Sequence, residues 1–405
     1  MINNILVPPP GIQECYISIT RIGDIKKLYN IGQEKSLKEL YGAGTGTTKD
    51  EAIRFANYEA TERIANSINC QNTIIENYNN LTQKAVDMNK FPENDILEHS
   101  FNPSFDRNQV TTWVETVDLI NKKIKLIPEN YIYLFNNGNY YGDRVTNPIS
   151  TGAAIHKNFV KALINGIYEV IERDGIAISW LLRRINGNIT HLFSEQDDKV
   201  FNSSFLGNVE FYDVSTVKNV ITVCAHAKSN HSKKAKNVLM FATDINFENI
   251  KYKLKKELIS VMFSFTQEEM MPENSNITFF TNVDQGGRFM AHYFNDDAFE
   301  FFNTINKTEK LNYEKQNFLT DEDELKYLLK ILKENKFTVL ASDISCREVE
   351  EENFKAVKVV IPEMQPISFV YKSRFLATKR LKEFAIPIYG ENYISKINHF
   401  PLAFS

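Results

Sequence analysis

The sequence predicts a large protein of the mixed α/β class. Residues 157–182 place apolar side chains three and four positions apart, which is typical of a long, half-buried helix. The stretch 207–243 holds three runs rich in β-branched and aromatic residues, separated by polar segments, and therefore indicates an antiparallel meander. Helical and strand-like patterns alternate along the remaining chain, so both kinds of element should share one fold.

The elements before residue 157 follow from local signals. "ECYISITRI" predicts a strand, and the glycine-rich "GAGTGTT" at 42–48 predicts a turn. At the end of that turn, Thr48-x-x-Glu51 forms a capping box, so a helix should begin there and continue to about Ile68. Polar residues with Pro and Asn at 89–110 indicate a long surface loop, and "YIYLFNN" at 131–137 predicts a strand.

The sequence also predicts the helices and strands that follow the meander. They are a helix over 247–268, a strand over 277–282, a helix over 321–335 and two strands in "FTVLASDI" and "AVKVVIP".

The length, composition and charge of the chain limit the classes of function that it can have. With 405 residues, 43% hydrophobic and 24% charged, the chain can bury two or three structural units of ordinary globular composition. The formal charge of −4 gives no basic excess, which disfavours nucleic acid as a partner.

The N-terminus lacks the pattern of a signal peptide, and no apolar run approaches the ~20 residues of a membrane span. Four dispersed cysteines match neither a disulfide framework nor a zinc ribbon, so we expect a cytoplasmic protein without membrane partners.

A six-residue pattern occurs twice, in "NYEATER" at 57–63 and "IYEVIER" at 167–173. Helical spacing puts the two glutamates of each copy on one side of a helix, which yields two carboxylate pairs: Glu59 with Glu62, and Glu169 with Glu172. One interpretation is a solvated polar face with weak local Glu–Arg pairs. In the other, the pairs meet across the fold and hold cations such as Mg²⁺ with nucleotide phosphates.

The arginine that ends each copy has two possible roles. Arg63 and Arg173 could supply positive charge to phosphate oxygens, or they could orient the neighbouring carboxylates. Spacing alone leaves both roles open.

The surroundings of the two copies resemble a known family. "GTGTTKDEAIRFANYEATERIA" and "STGAAIHKNFVKALINGIYEVIERDGIAISW" are similar to the paired signature helices of the YcaO family, whose members use ATP to modify backbone amides of ribosomally made peptides. Weaker similarities follow in family order in "INFENIKYKLKKEL", "FMAHYF" and "LASDISCREVEEENFKAVKVVIPEMQP". The resemblance implies a YcaO-type catalytic domain over 41–405, with mixed sheets and packed helices around an ATP and Mg²⁺ site, after a short segment 1–40.

The resemblance also implies roles for single residues. Glu59, Glu62, Glu169 and Glu172 match the carboxylates that hold magnesium ions against the ATP phosphates. Nucleotide contacts are implied for Arg63, Asn165, Arg173 and Glu257. Gly46 is a further candidate, as a backbone contact to phosphate before a helix start, and Arg374 is a candidate phosphate contact whose alternative is a solvated surface.

Some positions depart from the family pattern. Phe55 stands where a serine is usual, Thr45 stands where the preceding loop often has lysine, and Ser260 replaces a usual glutamine. The end of the chain, "NHFPLAFS", keeps Pro401 and Phe404 of a proline-spaced tail found in azoline-forming members.

The function implied by the resemblance is that of a cyclodehydratase subunit. It would convert Cys, Ser or Thr of a precursor peptide to thiazoline or oxazoline for a bacteriocin-like or thiopeptide-like product. The resemblance implies a leader-binding partner protein and a homodimer. A flavin dehydrogenase in the same complex is a further candidate partner. Two alternatives stay open: thioamide formation with a sulfur-delivering partner, and a catalytically weakened scaffold subunit.

Overall fold

The structure is a computed structural model that describes residues 2–6, 12, 15–23, 40–67, 69–92, 105–135, 142, 144–193, 199–308, 311 and 316–404. The helices in this part are α1 (Lys49–Ser67), α2 (Tyr78–Leu81), α3 (Phe159–Leu182), α4 (Phe247–Gln267), α5 (Val283–Met290), α6 (Asp321–Glu334), α7 (Arg347–Glu351) and α8 (Lys379–Tyr389). The strands are β1 (Ile2–Leu6), β2 (Tyr16–Gly23), β3 (Leu40–Gly46), β4 (Ile74–Asn77), β5 (Val110–Asp118), β6 (Lys123–Pro128), β7 (Ala153–His156), β8 (Gly187–Asn188), β9 (Asn208–Asp213), β10 (Ile221–Lys228), β11 (Asn237–Asp244), β12 (Leu340–Asp343) and β13 (Lys355–Val360).

The strands form three antiparallel sheets within the described residues. The first has the order β1-β2-β3, the second β11-β10-β9-β8, and the third β4-β5-β12-β13-β7 with β6 paired to β5. Helix α1 packs on the first sheet, and α3 lies between the second and third sheets. Helix α4 contacts both the second sheet and β3. The mixed α/β class is confirmed, and the three long helices converge where the sheets meet.

Helix α3 contributes many buried residues to the hydrophobic core. Its buried residues include Ile164, Ile167, Ile171 and Ile178, which are inaccessible to solvent. The helix begins after Asn158, whose side chain accepts a hydrogen bond from the backbone N–H of residue 160. Packing on two sides therefore fixes this helix firmly.

Helix α1 lies so close to β3 that the facing strand positions carry no side chain. A Cβ atom built on Gly44 would lie 2.2 Å from the backbone nitrogen of Ala56, and one on Gly42 would lie 2.2 Å from the Ala56 carbonyl oxygen. Gly46 meets the backbone of Ala52 in the same way. The alternating glycines thus mark one face of a strand. The prediction of a turn was wrong for 42–46, while residues 47 and 48 form a bend before the helix.

We expect Gly44→Ala to destabilise the protein by about 3 kcal/mol, the upper end of the usual cost of overpacking, because backbone rather than a flexible side chain opposes the new methyl group. The shift of α1 should also weaken ligand binding at its glutamates. Chemical denaturation measures the first effect. Ala43→Ser, on the exposed side of the same strand, is the control, and equal stability of the two variants would contradict this packing.

Most element predictions are confirmed. The structure contains the strand in "ECYISITRI", the helices at α1, α3, α4 and α6, the meander β9-β10-β11 and the strands β12 and β13. Two predicted strands were wrong. Of the strand predicted at 131–137, Tyr131 ends the 3-10 helix Glu129–Tyr131, residues 132–135 form a turn and a bend, and residues 136–137 lie outside the described residues. In the strand predicted at 277–282, Ile277–Phe279 form a 3-10 helix. Part of the loop predicted at 89–110 lies outside the described residues. No helix within the described ranges combines the length and apolar character needed to cross a bilayer.

Candidate functional site

The two copies of the repeated pattern have matching surroundings. The backbone N–H of Ala43, in the strand before α1, donates to Glu59 Oε2 over 2.7 Å, and Arg63 pairs with the other oxygen from one turn further on. The N–H of Gly152, just before β7, donates to Glu169 Oε2 over 3.1 Å, and Arg173 pairs with Oε1 over 3.3 Å. Each first glutamate is therefore held by a backbone N–H in or directly before a strand and by its own arginine.

Gly152 shows why a glycine precedes the second copy. Its φ of +86° lies in the left-handed region, and a Cβ atom there would lie 2.1 Å from the Val359 carbonyl oxygen. Only glycine can turn the chain here and still present its N–H to Glu169.

The second glutamate of each copy is less constrained. Glu62 and Glu172 are half-buried, and the described part of the chain donates no hydrogen bond to either. Loss of hydration, together with repulsion from Glu169 and Glu59, raises the pKa of Glu62 well above its ordinary value. Loss of hydration also raises the pKa of Glu172 to about 8, although Arg173 opposes the shift. The nearby cations therefore offset the shift of each carboxylate only in part.

Helix α4 adds a third side to the site. Glu257 faces solvent with part of its surface, yet reduced hydration raises its pKa to about 7, with further repulsion from Glu59 and Glu169. Lys253, one turn earlier, offsets part of this shift, while its ammonium donates to the Thr243 carbonyl over 3.1 Å. We call Glu59, Glu62, Glu169, Glu172 and Glu257 the carboxylate cluster.

Arg173 is the main cation with free donors beside the cluster. Its Nη2 binds Glu169, but its buried Nε and Nη1 atoms have no hydrogen-bond partner in the described part of the chain. The ring of Phe404 lies 4.5 Å from the guanidinium carbon, so the tail end of the chain covers one face of it. Buried donors without partners are costly, and they indicate a ligand rich in acceptors.

These residues fit Mg²⁺ with a phosphate ligand better than a metal held by protein alone. Among the described residues, no three acidic, His or Cys side chains come close enough to hold one ion. Mg²⁺ is usually bound through one or two carboxylates together with substrate phosphates and water. Such ions would relieve the repulsion within the carboxylate cluster, and phosphate oxygens would accept from Arg173.

The raised pKa values predict how stability depends on pH. Between the ordinary value of 4.5 and about 8, Glu172 is protonated in the folded protein and ionised in the unfolded chain. The folded state therefore binds more protons across this window, and its free energy of unfolding should fall as the pH rises from 4.5 to about 8. Glu257 adds to the same trend up to about 7.

Thermal unfolding of the ligand-free protein at several pH values tests this trend. Mg²⁺ with a non-hydrolysable ATP analogue needs ionised carboxylates, so its stabilising effect should grow over the same range. Glu172→Gln should flatten the dependence. A melting temperature that rises with pH in the ligand-free protein would contradict the pKa assignment.

The other predicted residues lie at different distances from this centre. Asn165 is half-buried one helical turn before Glu169. Gly46 ends β3 just before α1 begins, where it packs against the helix backbone. Arg374 donates to the carbonyls of Tyr371 and Asn398, over 3.2 and 3.0 Å, and so anchors the C-terminal segment. Contact of any of these three with phosphate stays a prediction.

Two residues of the site escaped the sequence analysis. Lys253 and Lys358 both influence the pKa values of the glutamates. Lys253 precedes Glu257 by one turn, a spacing that could have revealed it. Lys358 interrupts the apolar run "AVKVVIP" inside β13, and a lysine at a buried strand position is a signal in itself.

One departure from the family pattern, Phe55, contacts a neighbouring helix. The Lys256 ammonium lies 4.0 Å from the ring centre of Phe55 and 4.1 Å from that of Tyr252, and it donates to Glu51 over 2.8 Å. This pairing and the hydrogen bonds from Thr47 outweigh burial and lower the pKa of Glu51 to about 2. Phe55 thus joins α1 to α4 near the first copy of the motif.

Solved structures share this fold at low sequence identity. A heterocyclase in complex with substrate and cofactor aligns with a TM-score of 0.77 and 16% identity, over 99% of this chain and 54% of that chain. YcaO from Methanopyrus kandleri bound with AMPPCP and Mg²⁺ aligns with a TM-score of 0.61 and 17% identity, over 92% and 86%. The E. coli microcin synthetase McbBCD complex gives 0.62 and 15%, over 98% and 96%. The chain thus spans about half of the first of these proteins.

A comparison with curated proteins found no match. The family model described as YcaO cyclodehydratase, ATP- and Mg²⁺-binding, matches residues 43–365, which include both copies of the motif and Glu257. The chain therefore belongs to the YcaO family.

Proposed function

We propose that the protein is an ATP- and Mg²⁺-dependent cyclodehydratase subunit that forms azolines in a ribosomally made peptide. The observation that carries the proposal is the meeting of the carboxylate cluster with the free donors of Arg173. Bound cations would reduce the repulsion among the five glutamates. An anion rich in oxygen would accept hydrogen bonds from the two nitrogens of the buried guanidinium that have no partner among the described residues. Mg²⁺ with ATP supplies both.

The chemistry needs an activated amide oxygen. When bound, ATP supplies the phosphoryl group that turns this oxygen into a leaving group, and Mg²⁺ neutralises the phosphate charge. Glu59, Glu62, Glu169, Glu172 and Glu257 would hold the metal ions, Arg173 would contact phosphate, and Asn165 would contact the nucleotide. The chain contributes mainly positioning and charge stabilisation, because the nucleophile is a Cys, Ser or Thr side chain of the substrate.

The rigid attachment of these groups supports the proposal. Glu59 and Glu169 are held by backbone N–H groups, and their helices pack on sheets. Metal ligands on regular elements keep their geometry better than ligands on loops. A leader-binding partner protein that presents the peptide is part of the proposal, as are a homodimer and a flavin dehydrogenase in the same complex.

Mass spectrometry of a precursor peptide tests the proposal. The peptide would be incubated with the protein, a leader-binding partner, ATP and Mg²⁺. Azoline formation predicts loss of one water per modified Cys, Ser or Thr. Exchange of oxygen for sulfur in the presence of a sulfide donor would indicate the thioamide alternative. An unchanged mass with every partner and cofactor present would support a scaffold role and contradict both enzyme functions.

A further inference from the structure

A cavity of about 270 Å³ adjoins the carboxylate cluster. Its walls come mainly from residues 145–151 and 358–375, with Thr281 and Val283 among the other lining residues. Most of the lining is apolar, as is usual for sites that bind organic ligands, and the volume falls just below the ~300–1,000 Å³ of typical ligand pockets. The cavity therefore has room for a short piece of peptide.

The charged groups of this cavity have one sign. Among the described residues that line it, Arg173 and Lys358 are charged, and none carries a carboxylate. Both cations interact with the carboxylate cluster. Arg173 forms an ion pair with Glu169, and the negative charges of Glu62 and Glu169 attract the Lys358 ammonium. The positive end of the cavity is thus the end that faces the site of phosphoryl transfer.

Lys358 is buried without a full set of partners. Its side chain is on β13, the residue is only 1% exposed, and its ammonium donates to the Ile149 carbonyl over 2.6 Å. An ammonium has three N–H donors, and the described residues offer Lys358 no second acceptor. Burial lowers the pKa of Lys358 to about 8, while Glu169 and Glu62 favour the charged form. A buried cation with spare donors is costly unless a ligand uses them.

We propose that this cavity receives the peptide amide that is to be activated, and that the Lys358 ammonium donates a hydrogen bond to its carbonyl oxygen. The inference rests on the proposed function. The substrate thiol or hydroxyl attacks the carbonyl carbon and releases its proton to water. As the new bond forms, the carbonyl π electrons move onto the oxygen, where the Lys358 hydrogen bond stabilises the negative charge before phosphoryl transfer.

The charge of the cavity also defines the class of substrate. Lys and Arg beside the reacting residue would meet two cations and no carboxylate, so basic flanking residues should be rejected. Small uncharged flanking residues meet an apolar wall. The cavity thus disfavours peptides whose reacting Cys, Ser or Thr has basic neighbours.

Calorimetric binding of two dipeptides tests the inference, in the presence of Mg²⁺ and a non-hydrolysable ATP analogue. N-acetyl-Gly-Cys-amide should bind the wild-type protein, and N-acetyl-Lys-Cys-amide should bind much more weakly. Lys358→Met should weaken binding of the glycyl peptide about tenfold or more, as expected for loss of a hydrogen bond from a charged group. Lys161→Gln removes the same charge from the outer side of α3, where Lys161 pairs with Glu324, and should leave the affinity within about twofold.

A second variant covers the case that Lys358→Met fails to fold. Val283 is 56% exposed on the cavity lining, so Val283→Trp should fold, narrow the cavity and weaken dipeptide binding without affecting the nucleotide analogue. The inference would be overturned, and the proposed function left standing, if folded Lys358→Met bound the glycyl peptide as tightly as the wild type. The same holds if Val283→Trp left the affinity unchanged, or if wild-type protein with the analogue bound did not bind the dipeptide. Failure of the wild type to bind the analogue with Mg²⁺ would overturn both.

Discussion

Glu169→Gln should abolish ATP turnover while leaving the fold intact. The amide oxygen of glutamine can still accept the hydrogen bond from the Gly152 N–H, so the packing of α3 persists. The substitution removes the negative charge that a cation needs at the centre of the carboxylate cluster. Because even indirect supports of a metal site are worth about 10–100-fold, loss of a direct ligand should reduce the rate by at least about 100-fold.

Turnover and thermal unfolding should be measured on the same preparation of this variant. Glu248→Gln is the matched control, since Glu248 also lies on a helix but is 73% exposed and, among the described residues, forms an ion pair with Lys251 alone. The control should keep its activity. A Glu169→Gln protein with full turnover would refute the assignment of magnesium to this glutamate.

Asp174→Ala should have the largest effect on stability. Asp174 is fully buried directly after the second motif, and its carboxylate accepts from Arg380 through two nitrogens, over 3.1 and 2.9 Å. Thr216 and the backbone N–H of Gln365 bind the same carboxylate, over 2.6 and 2.7 Å. Removing it leaves an uncompensated buried guanidinium, so the free energy of unfolding should fall by about 3–5 kcal/mol.

Chemical denaturation measures this loss. Glu383→Gln removes the exposed partner of the same arginine, 3.4 Å away and 66% exposed, and should cost less than about 1 kcal/mol. The double variant Asp174→Ala/Arg380→Met should recover part of the stability, because no buried charge is then left unpaired. Similar losses from Asp174→Ala and Glu383→Gln would contradict the importance of the buried pair.

The sequence predicted the long helices well because their periodicity extends over many turns. In α3, the apolar positions and the Asn158 cap agree with each other, and the observed helix begins at Phe159. Short elements were harder. The strand β3 was interpreted as a turn, since its glycines serve a close approach of α1 that no local pattern reveals. At 277–282, an apolar and β-branched run is typical of a strand, yet the Asn276 side chain accepts a hydrogen bond from the Thr278 N–H and caps a 3-10 turn.

The sequence allowed the glutamates of the site to be identified. It did not allow their burial or their mutual repulsion to be predicted. Periodicity placed Glu169 and Glu172 opposite the apolar face of α3, which is equally compatible with plain exposure. Their crowding with Glu257 depends on how α4 packs on β3, a long-range contact. Arg380 shows the same limit. It follows Arg374 by six residues in "YKSRFLATKR", a basic stretch for which a solvated surface was the alternative, yet it is a buried partner of Asp174.

The most direct test of the central claim follows one oxygen atom. A precursor peptide would carry a heavy-oxygen label at the carbonyl preceding a reactive Cys, and it would be processed with the protein, its partner, ATP and Mg²⁺. If the amide oxygen is phosphorylated and then expelled, the label must appear in inorganic phosphate, in proportion to the water lost from the peptide. Dehydrated peptide accompanied by unlabelled phosphate would contradict this account.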